Sequence, residues 1–303
     1  MGSALFLIGL QLLAASAVPL SEEVKISPAV RVVAVKYGKS FGPDAERELE
    51  SLRANGDATA AALMGELLMF PDRPGGPDLA RSCDYSEAAG RHASALHNLA
   101  TCYFKGDGRP QDFAKARALY GQAAALGFAK AACALGNMLI AGTGGPGDPA
   151  RGIDLCRQAA DTGVADAQTD YGGYLLTNQH IAKDALAARR YLSLAAAQGQ
   201  QNAAFLLGQI YWNGDGVEKN VPQAAIWWIT AYDKGRADAA FLVGHAAFGL
   251  IVEAAKTKQP VANVVIDQAK RWLDIAARED PDPKKREKAK ELRGLLGQLL
   301  GGR

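Results

Sequence analysis

Histidine is the side chain that most often moves protons or holds metals near neutral pH, and this chain has four: His92, His97, His180 and His245. His92 and His97 are five residues apart, which points them to different faces of a helix and makes them poor joint metal ligands. His180 falls in a loop pattern and His245 in a helical one, and each reads as an ordinary surface or groove histidine. Neither Ser-x-x-Lys nor Gly-x-Ser-x-Gly occurs, so acyl transfer has no recognisable serine nucleophile. The run Gly142-Thr143-Gly144-Gly145-Pro146-Gly147 looks superficially like a phosphate cradle, but Asp148-Pro149 follows it. A P-loop would continue with Gly-Lys-Ser/Thr opening a helix after a strand. Asp107, Asp112, Asp148, Asp184 and Asp215 recur at regular intervals and read as caps and turn formers rather than catalytic acids. These residue types predict no enzyme, no cofactor and no metal.

Cys83, Cys102, Cys133 and Cys156 are even in number and confined to one stretch of the chain. In an oxidising compartment they would form two disulfides. The N-terminus agrees with such a compartment. Ala4 to Ala15 is an apolar run broken by Gly9 and Gln11, and Ala15-Ser16-Ala17 supplies the small-x-small pattern of a cleavage site. The run is shorter than the roughly 20 residues needed to span a bilayer, and no Lys or Arg precedes it. The expectation is a signal peptide over residues 1–17, an exported protein that is periplasmic or secreted, and no stable membrane insertion after cleavage. A formal charge of +2 over 303 residues gives no electrostatic reason to bind nucleic acid.

The elements that would position these residues come from an internal repeat. Gly127, Gly163, Gly199 and Gly235 are spaced by 36, and Gly56 precedes them with a one-residue slip near Gly90-Arg91. Three further markers keep the same register: Gly65, Ala100, Gly136, Gly172, Gly208 and Gly244; Ala95, Ala131, Ala167, Ala203 and Ala239; and Asp112, Asp148, Asp184 and Asn220. Small residues fall where a neighbouring helix would approach, glycines break the chain at turns, and an Asx residue caps the helix that follows. Each cycle therefore reads as helix A, short loop, helix B, tight turn. A helices are predicted to begin near Ala58, Ala93, Ala129, Ala165, Gln201 and Ala237, with a B-type helix over Ala45–Ala54 before the first. The pattern Ala116, Leu119, Tyr120, Ala123 returns as Ala188, Tyr191, Leu192, Ala195 and as Ala224, Trp227, Trp228, Ala231. It returns nine residues late at Ala269, Trp272, Leu273, Ala276, which predicts a longer A–B loop from about Lys256 to Val261. Cys83 then falls in a B helix and Cys102 in the A helix after it, whereas Cys133 and Cys156 face each other within one cycle. Of the three possible pairings this favours Cys83–Cys102 with Cys133–Cys156.

Leu135-Gly136, Gly142-x-Gly144, Asp148 and Ala159-Ala160-x-x-Gly163-x-Ala165-x-Ala167 resemble the Sel-one-like repeat, a relative of the tetratricopeptide repeat. Leu207-Gly208-x-x-Tyr211-x-x-Gly214-x-Gly216-Val217 is closer still, and the resemblance runs from about Ala45 to Ala277. The fourth cycle departs from it, with Tyr171 for the leucine and Asn178-Gln179-His180 for the glycine loop, and the sixth lacks the glycine loop. The resemblance implies an all-α, right-handed α/α solenoid of about six 36-residue helix–turn–helix repeats over residues 43–280. Residues 18–42 form a lead, read as a short strand, a strap or a disordered stretch. Leu292, Leu295, Leu296, Leu299 and Leu300 make an apolar stripe on a helix from about Lys284 that would cap the array over residues 281–303.

The resemblance also implies that A helices line an inner face, and that exported members act as adaptors or regulators of envelope signalling. On that face Asn98, Thr101, Lys105, Asn137, Asp170, Gln209, Trp212 and His245 are the candidate binding residues, and a protein or peptide lying along the concave surface is the expected partner. The alternatives are weak β-lactam hydrolysis or penicillin binding, described for cysteine-rich relatives, and cell-wall glycan binding through Trp212, Trp227 and Trp228.

Overall fold

The computed structural model of the chain describes residues 26–37, 42–69, 75–177 and 179–301. The expected signal peptide lies outside the described residues. Those residues form fifteen α-helices and no strand. They divide into two compact units, residues 1–167 and 168–303.

In the first unit the helices are α1 (Pro28–Tyr37), α2 (Pro43–Ala54), α3 (Ala58–Leu67), α4 (Leu79–Ala88), α5 (Ala93–Lys105), α6 (Phe113–Ala125), α7 (Ala129–Ala141) and α8 (Pro149–Asp161). Most of α9 (Ala165–Thr177) belongs to the second unit. There it is followed by α10 (Ala185–Ala197), α11 (Gln201–Asn213), α12 (Val221–Asp233), α13 (Ala239–Lys256), α14 (Asn263–Glu279) and α15 (Pro283–Gly301). Five A helices start at the predicted residue, and the sixth starts at Ala239 after a turn at 237–238.

Each repeat marker has a local cause. The Asx residues cap the B helices as predicted: the side chains of Asp112, Asp148, Asp184 and Asn220 accept from the backbone N–H three residues on, at 2.9–3.1 Å. Their own N–H groups donate to the last turn of the preceding A helix, as in Asp148 N to Leu139 O at 2.9 Å. One residue thus closes helix A and opens helix B. The small-residue marker is where the B helix crosses. A Cβ on Gly136 would stand 2.5 Å from Gly152 O, and one on Gly208 only 2.3 Å from Trp228 Nε1. The glycine loops are packing elements as well. Gly144 holds φ +73°, and a Cβ there would stand 2.3 Å from Phe113 O, so the loop lies on the first turn of the previous B helix.

The first unit holds all four cysteines, bonded as Cys83–Cys102 between α4 and α5 and as Cys133–Cys156 between α7 and α8. Its core runs through Leu96, Leu99, Tyr103, Leu119, Tyr120, Leu135, Met138 and Leu139. Part of the lead differs from expectation: residues 28–37 are neither strand nor strap but helix α1. Its Val30 and Val33 bury against Leu49, Leu63 and Met64, which gives the apolar residues of this short segment a helical period.

In the second unit a core runs from Phe205 and Trp228 through Trp272 to Leu292 and Leu296 of α15. Three leucines of the predicted stripe on α15 behave differently: Leu292 and Leu296 are buried, whereas Leu295 is 42% exposed. The longer loop predicted in the sixth cycle is a correction. The connection is only residues 257–262, and the extra length lies in α13, at 18 residues, and α14, at 17. α13 runs on beyond the length of the 13-residue A helices and buries Ile251 at 1% exposure. By length and composition α13 could cross a membrane; here it packs on α12, α14 and α15.

Candidate functional site

Because A helices repeat with the same bounds, residues 36 apart occupy equivalent positions along them. The residue following each small marker forms one column: Glu66, Thr101 and Asn137 in the first unit, Gly173, Gln209 and His245 in the second. Four of the eight predicted residues fall in it. Asn98 and Asp170 share a neighbouring column one turn earlier, with Ala134, Leu206 and Leu242 at the equivalent places. Lys105, at the end of α5, is exposed.

In the first unit Thr101 donates to His97 O at 3.0 Å, and its hydroxyl is 2.9 Å from that of Tyr120. Asn137 places its Oδ1 3.3 Å from Cys156 Sγ, a contact only, because a disulfide sulfur has no proton to donate. The His97 ring is held between Tyr120 and Phe128, each with centroids 5.3 Å away. Three side chains here keep a polar atom sealed from solvent with no hydrogen-bond partner among the described residues: Glu66 Oε2, His97 Nδ1 and Asn98 Nδ2. Each such atom costs about 1–3 kcal/mol of folding free energy. Burial pushes the His97 imidazole down to about 4, and the charge of Lys130 acts in the same direction. Burial also raises the Glu66 carboxyl above its ordinary value, against the pull of Lys130. At neutral pH His97 is therefore an uncharged imidazole.

These two shifts act on stability with opposite signs. His97 takes up its proton on unfolding, so its contribution is full above pH 6.5 and is lost as pH falls toward about 4. Glu66, whose folded pKa is raised, contributes most below its ordinary pKa of 4.5 and less as pH rises. Urea titrations between pH 4 and 6.5 should show His97→Phe gaining stability relative to the wild-type protein as pH falls, because only the wild type loses the contribution of a neutral His97. A stability difference between variant and wild type that does not change with pH would show that the imidazole does not titrate on unfolding.

In the second unit Asp170 is half-buried. It assists burial, the larger cause, in pushing the Tyr174 phenol up to about 12. Gln209 is half-buried and His245 exposed on the same face. The His245 ring stacks on Phe241 at 5.9 Å and lies 5.9 Å from Trp212. Burial is the main cause lowering the His245 pKa, with Lys288 of α15 assisting. Trp212 belongs to a different column, with Phe104, Ile140, Leu176 and Phe248, and packs against the core beside Trp228. Lys219 Nζ lies 5.1 Å above its ring.

Glu66 and Lys130 were not among the candidates read from sequence, and His97 was weighed there only as a metal ligand. A signal for Glu66 existed, since it follows the Gly65 marker and so begins the polar column. Among the described residues no group of three His, Cys, Asp or Glu is placed to hold a metal. What the face offers is hydrogen bonding and aromatic contact. A separate shallow depression on α1, lined by Ile26, Val32 and Val35 with Arg31 and Lys36, has no part in it.

The comparisons with known proteins concern this repeat. A family model described as the Sel1 repeat matches residues 93–128, 129–164, 165–200, 201–235 and 261–281, together more than half of the chain. No curated protein matches the sequence. A Sel1 repeat protein from Oxalobacter formigenes superposes with a TM-score of 0.61 at 20% identity, over 85% of this chain and 100% of that one. The protective antigen c5321 of uropathogenic Escherichia coli, described as displaying an SLR fold, gives 0.57 at 23% identity over 83% of this chain. The chain spans 56% of that antigen's length. Sel1 repeat proteins are generally protein-interaction scaffolds rather than catalysts. The period, the Asx caps, the crossing glycines and the family match lead to one conclusion: this chain is a member of the Sel1 repeat family.

Proposed function

We propose that the protein is an exported scaffold that binds another protein, or a peptide segment of one, on its A-helix faces, and that it serves as an adaptor or regulator in the cell envelope. The observation that carries this reading is the polar column on those helices. Side chains of Glu66, Thr101, Asn137, Gln209 and His245 occupy positions that helix packing does not require to be polar. The pairing of all four cysteines supports export, since disulfides persist in oxidising compartments. Glycan binding through tryptophan stacking is less well supported. Trp228 is 2% exposed, and Trp227 is half-buried with its Nε1 sealed.

Affinity purification from the native envelope, read by mass spectrometry, identifies the partner. Replacing Gln209 with Ala, Trp212 with Leu and His245 with Ala together should then weaken its capture by about tenfold or more, as for residues at the centre of an interface. Circular dichroism would verify that the variant remains helical. Undiminished capture by a folded variant would remove the second unit's A-helix face from the binding surface.

A further inference from the structure

Helix α1 carries valines on two opposite faces. Val30 and Val33 are buried in the core of the first unit, whereas Val32 is 65% exposed and Val35 54%. A helix turns by about 100° per residue, so Pro28, Val32 and Val35 share the face opposite the buried valines. Arg31 falls on one flank of that face and Lys36 on the other, and both are exposed. With Ile26 these residues line the depression on α1. The outward valines lower helix propensity, as β-branched side chains do, and while exposed they bury nothing in return. A helix with apolar residues on both faces is normally covered on both.

Charge and size decide between the candidates for that cover. Between Val24 and Gly42 the sequence has four basic residues, Lys25, Arg31, Lys36 and Lys39, and no acidic one. Lys36 pairs with Glu48 of α2, and the other carboxylates of α2, Asp44, Glu46 and Glu50, are engaged by Arg47, Arg81 and Arg53. The cover must therefore be apolar with negative charge at its margin. A second copy docked α1 to α1 would set the same cations against each other. The apolar face of one ten-residue helix also falls far short of the roughly 800 Å² per partner that a stable protein interface buries. A lipid bilayer has no such requirement. A few apolar side chains entering the headgroup region, with Arg and Lys reaching the phosphates beside them, make a peripheral contact. The place in the chain agrees. The apolar run read as a leader ends at Ala15, and Ile26 follows eleven residues later, a reach of at most about 40 Å.

We propose that α1 is a membrane-contact helix, which lays Val32 and Val35 into the surface of an anionic bilayer while Arg31 and Lys36 pair with lipid phosphates. The contact is peripheral and reversible. It is separate from the polar column on the A helices and does not depend on the binding function proposed for that column.

The test is flotation of the purified, exported protein with vesicles of phosphatidylethanolamine containing about one quarter phosphatidylglycerol. Vesicles of phosphatidylcholine alone are the control. The wild-type protein should float with the anionic vesicles only, and should be released in about 1 M salt, where charges are screened beyond about 3 Å. Val32→Gln with Val35→Gln should lower the partition coefficient by about tenfold or more. Arg31→Gln with Lys36→Gln should lower it by a similar factor. All four side chains are exposed, so Tm should stay unchanged in both variants. Equal flotation of variants and wild type, or equal binding to both kinds of vesicle, would overturn the proposal. A dimer seen by light scattering and abolished by the valine variant would give the face to a second copy. Capture of an acidic envelope protein through α1, without flotation, would give it to a protein partner. Either result would overturn the membrane contact.

Discussion

Replacing Trp228 with alanine is expected to cost about 3–5 kcal/mol, with the loss concentrated in the second unit. The indole is 2% exposed and fills the gap opened by Gly208, where even a Cβ would stand 2.3 Å from Nε1. Its Nε1 donates to Phe205 O at 3.3 Å, joining α12 to α11, and the Trp212 ring packs on it with centroids 5.6 Å apart. Alanine would remove the packing and leave a cavity between helices that cannot close up, because α11 and α12 are also fixed by the Asn220 cap. Repeat proteins gain stability from nearest-neighbour contacts, so the damage should be regional. Hydrogen exchange should show amides of α11 and α12 losing protection by two or more orders of magnitude while those of α5 to α8 change little. A loss below about 1 kcal/mol, or one spread evenly over both units, would mean that this contact does not hold the second unit together.

Removing the disulfides should have the mirror-image effect. Both lie in the first unit, closing separations of 19 and 23 residues, and by loop entropy each contributes about 3 kcal/mol. Cys133→Ala with Cys156→Ala should lower stability by about that amount. The pair bridges α7 and α8 next to the crossing of Gly136 and Gly152, so those helices should lose protection first. Cys83→Ala with Cys102→Ala should loosen the junction of α4 with α5. Reduction of the wild-type protein should split thermal unfolding into two steps, the first unit melting before the second. One unchanged transition with and without reductant would show that packing already holds the first unit and that the bonds contribute little.

Most of the architecture was legible because a repeat states its rule several times. Asp112, Asp148, Asp184 and Asn220 each perform a cap that depends only on the residues after them, so spacing located them. The crossing glycines were legible for a similar reason: a close approach tolerates no side chain, and the same position must be small in every cycle. Where a cycle broke the rule, reading by analogy failed. The nine late residues of the sixth cycle were assigned to a longer loop, but the two helices flanking it, α13 and α14, absorbed them. In the lead, α1 escaped notice because a ten-residue helix has too few turns for a period to emerge.

The binding face divides along the same line. From sequence, Asn98 and Thr101 are equivalent, two polar residues three apart on one helix. Only the packed structure distinguishes them, since the Tyr120 hydroxyl comes from α6 to meet Thr101, whereas among the described residues none meets Asn98 Nδ2. Gln209 and Trp212 likewise read as one surface, yet Trp212 lies in a different column, half-buried against the core beside Trp228. His97 and Glu66 acquire their shifted protonation only from burial between helices far apart in sequence. The chain alone determined which residues form helices, where those helices end and which of their positions must be small, for these follow from backbone sterics and local hydrogen bonds. Tertiary packing decided which polar atoms are left unpaired, because that depends on what the neighbouring helix brings within hydrogen-bond reach.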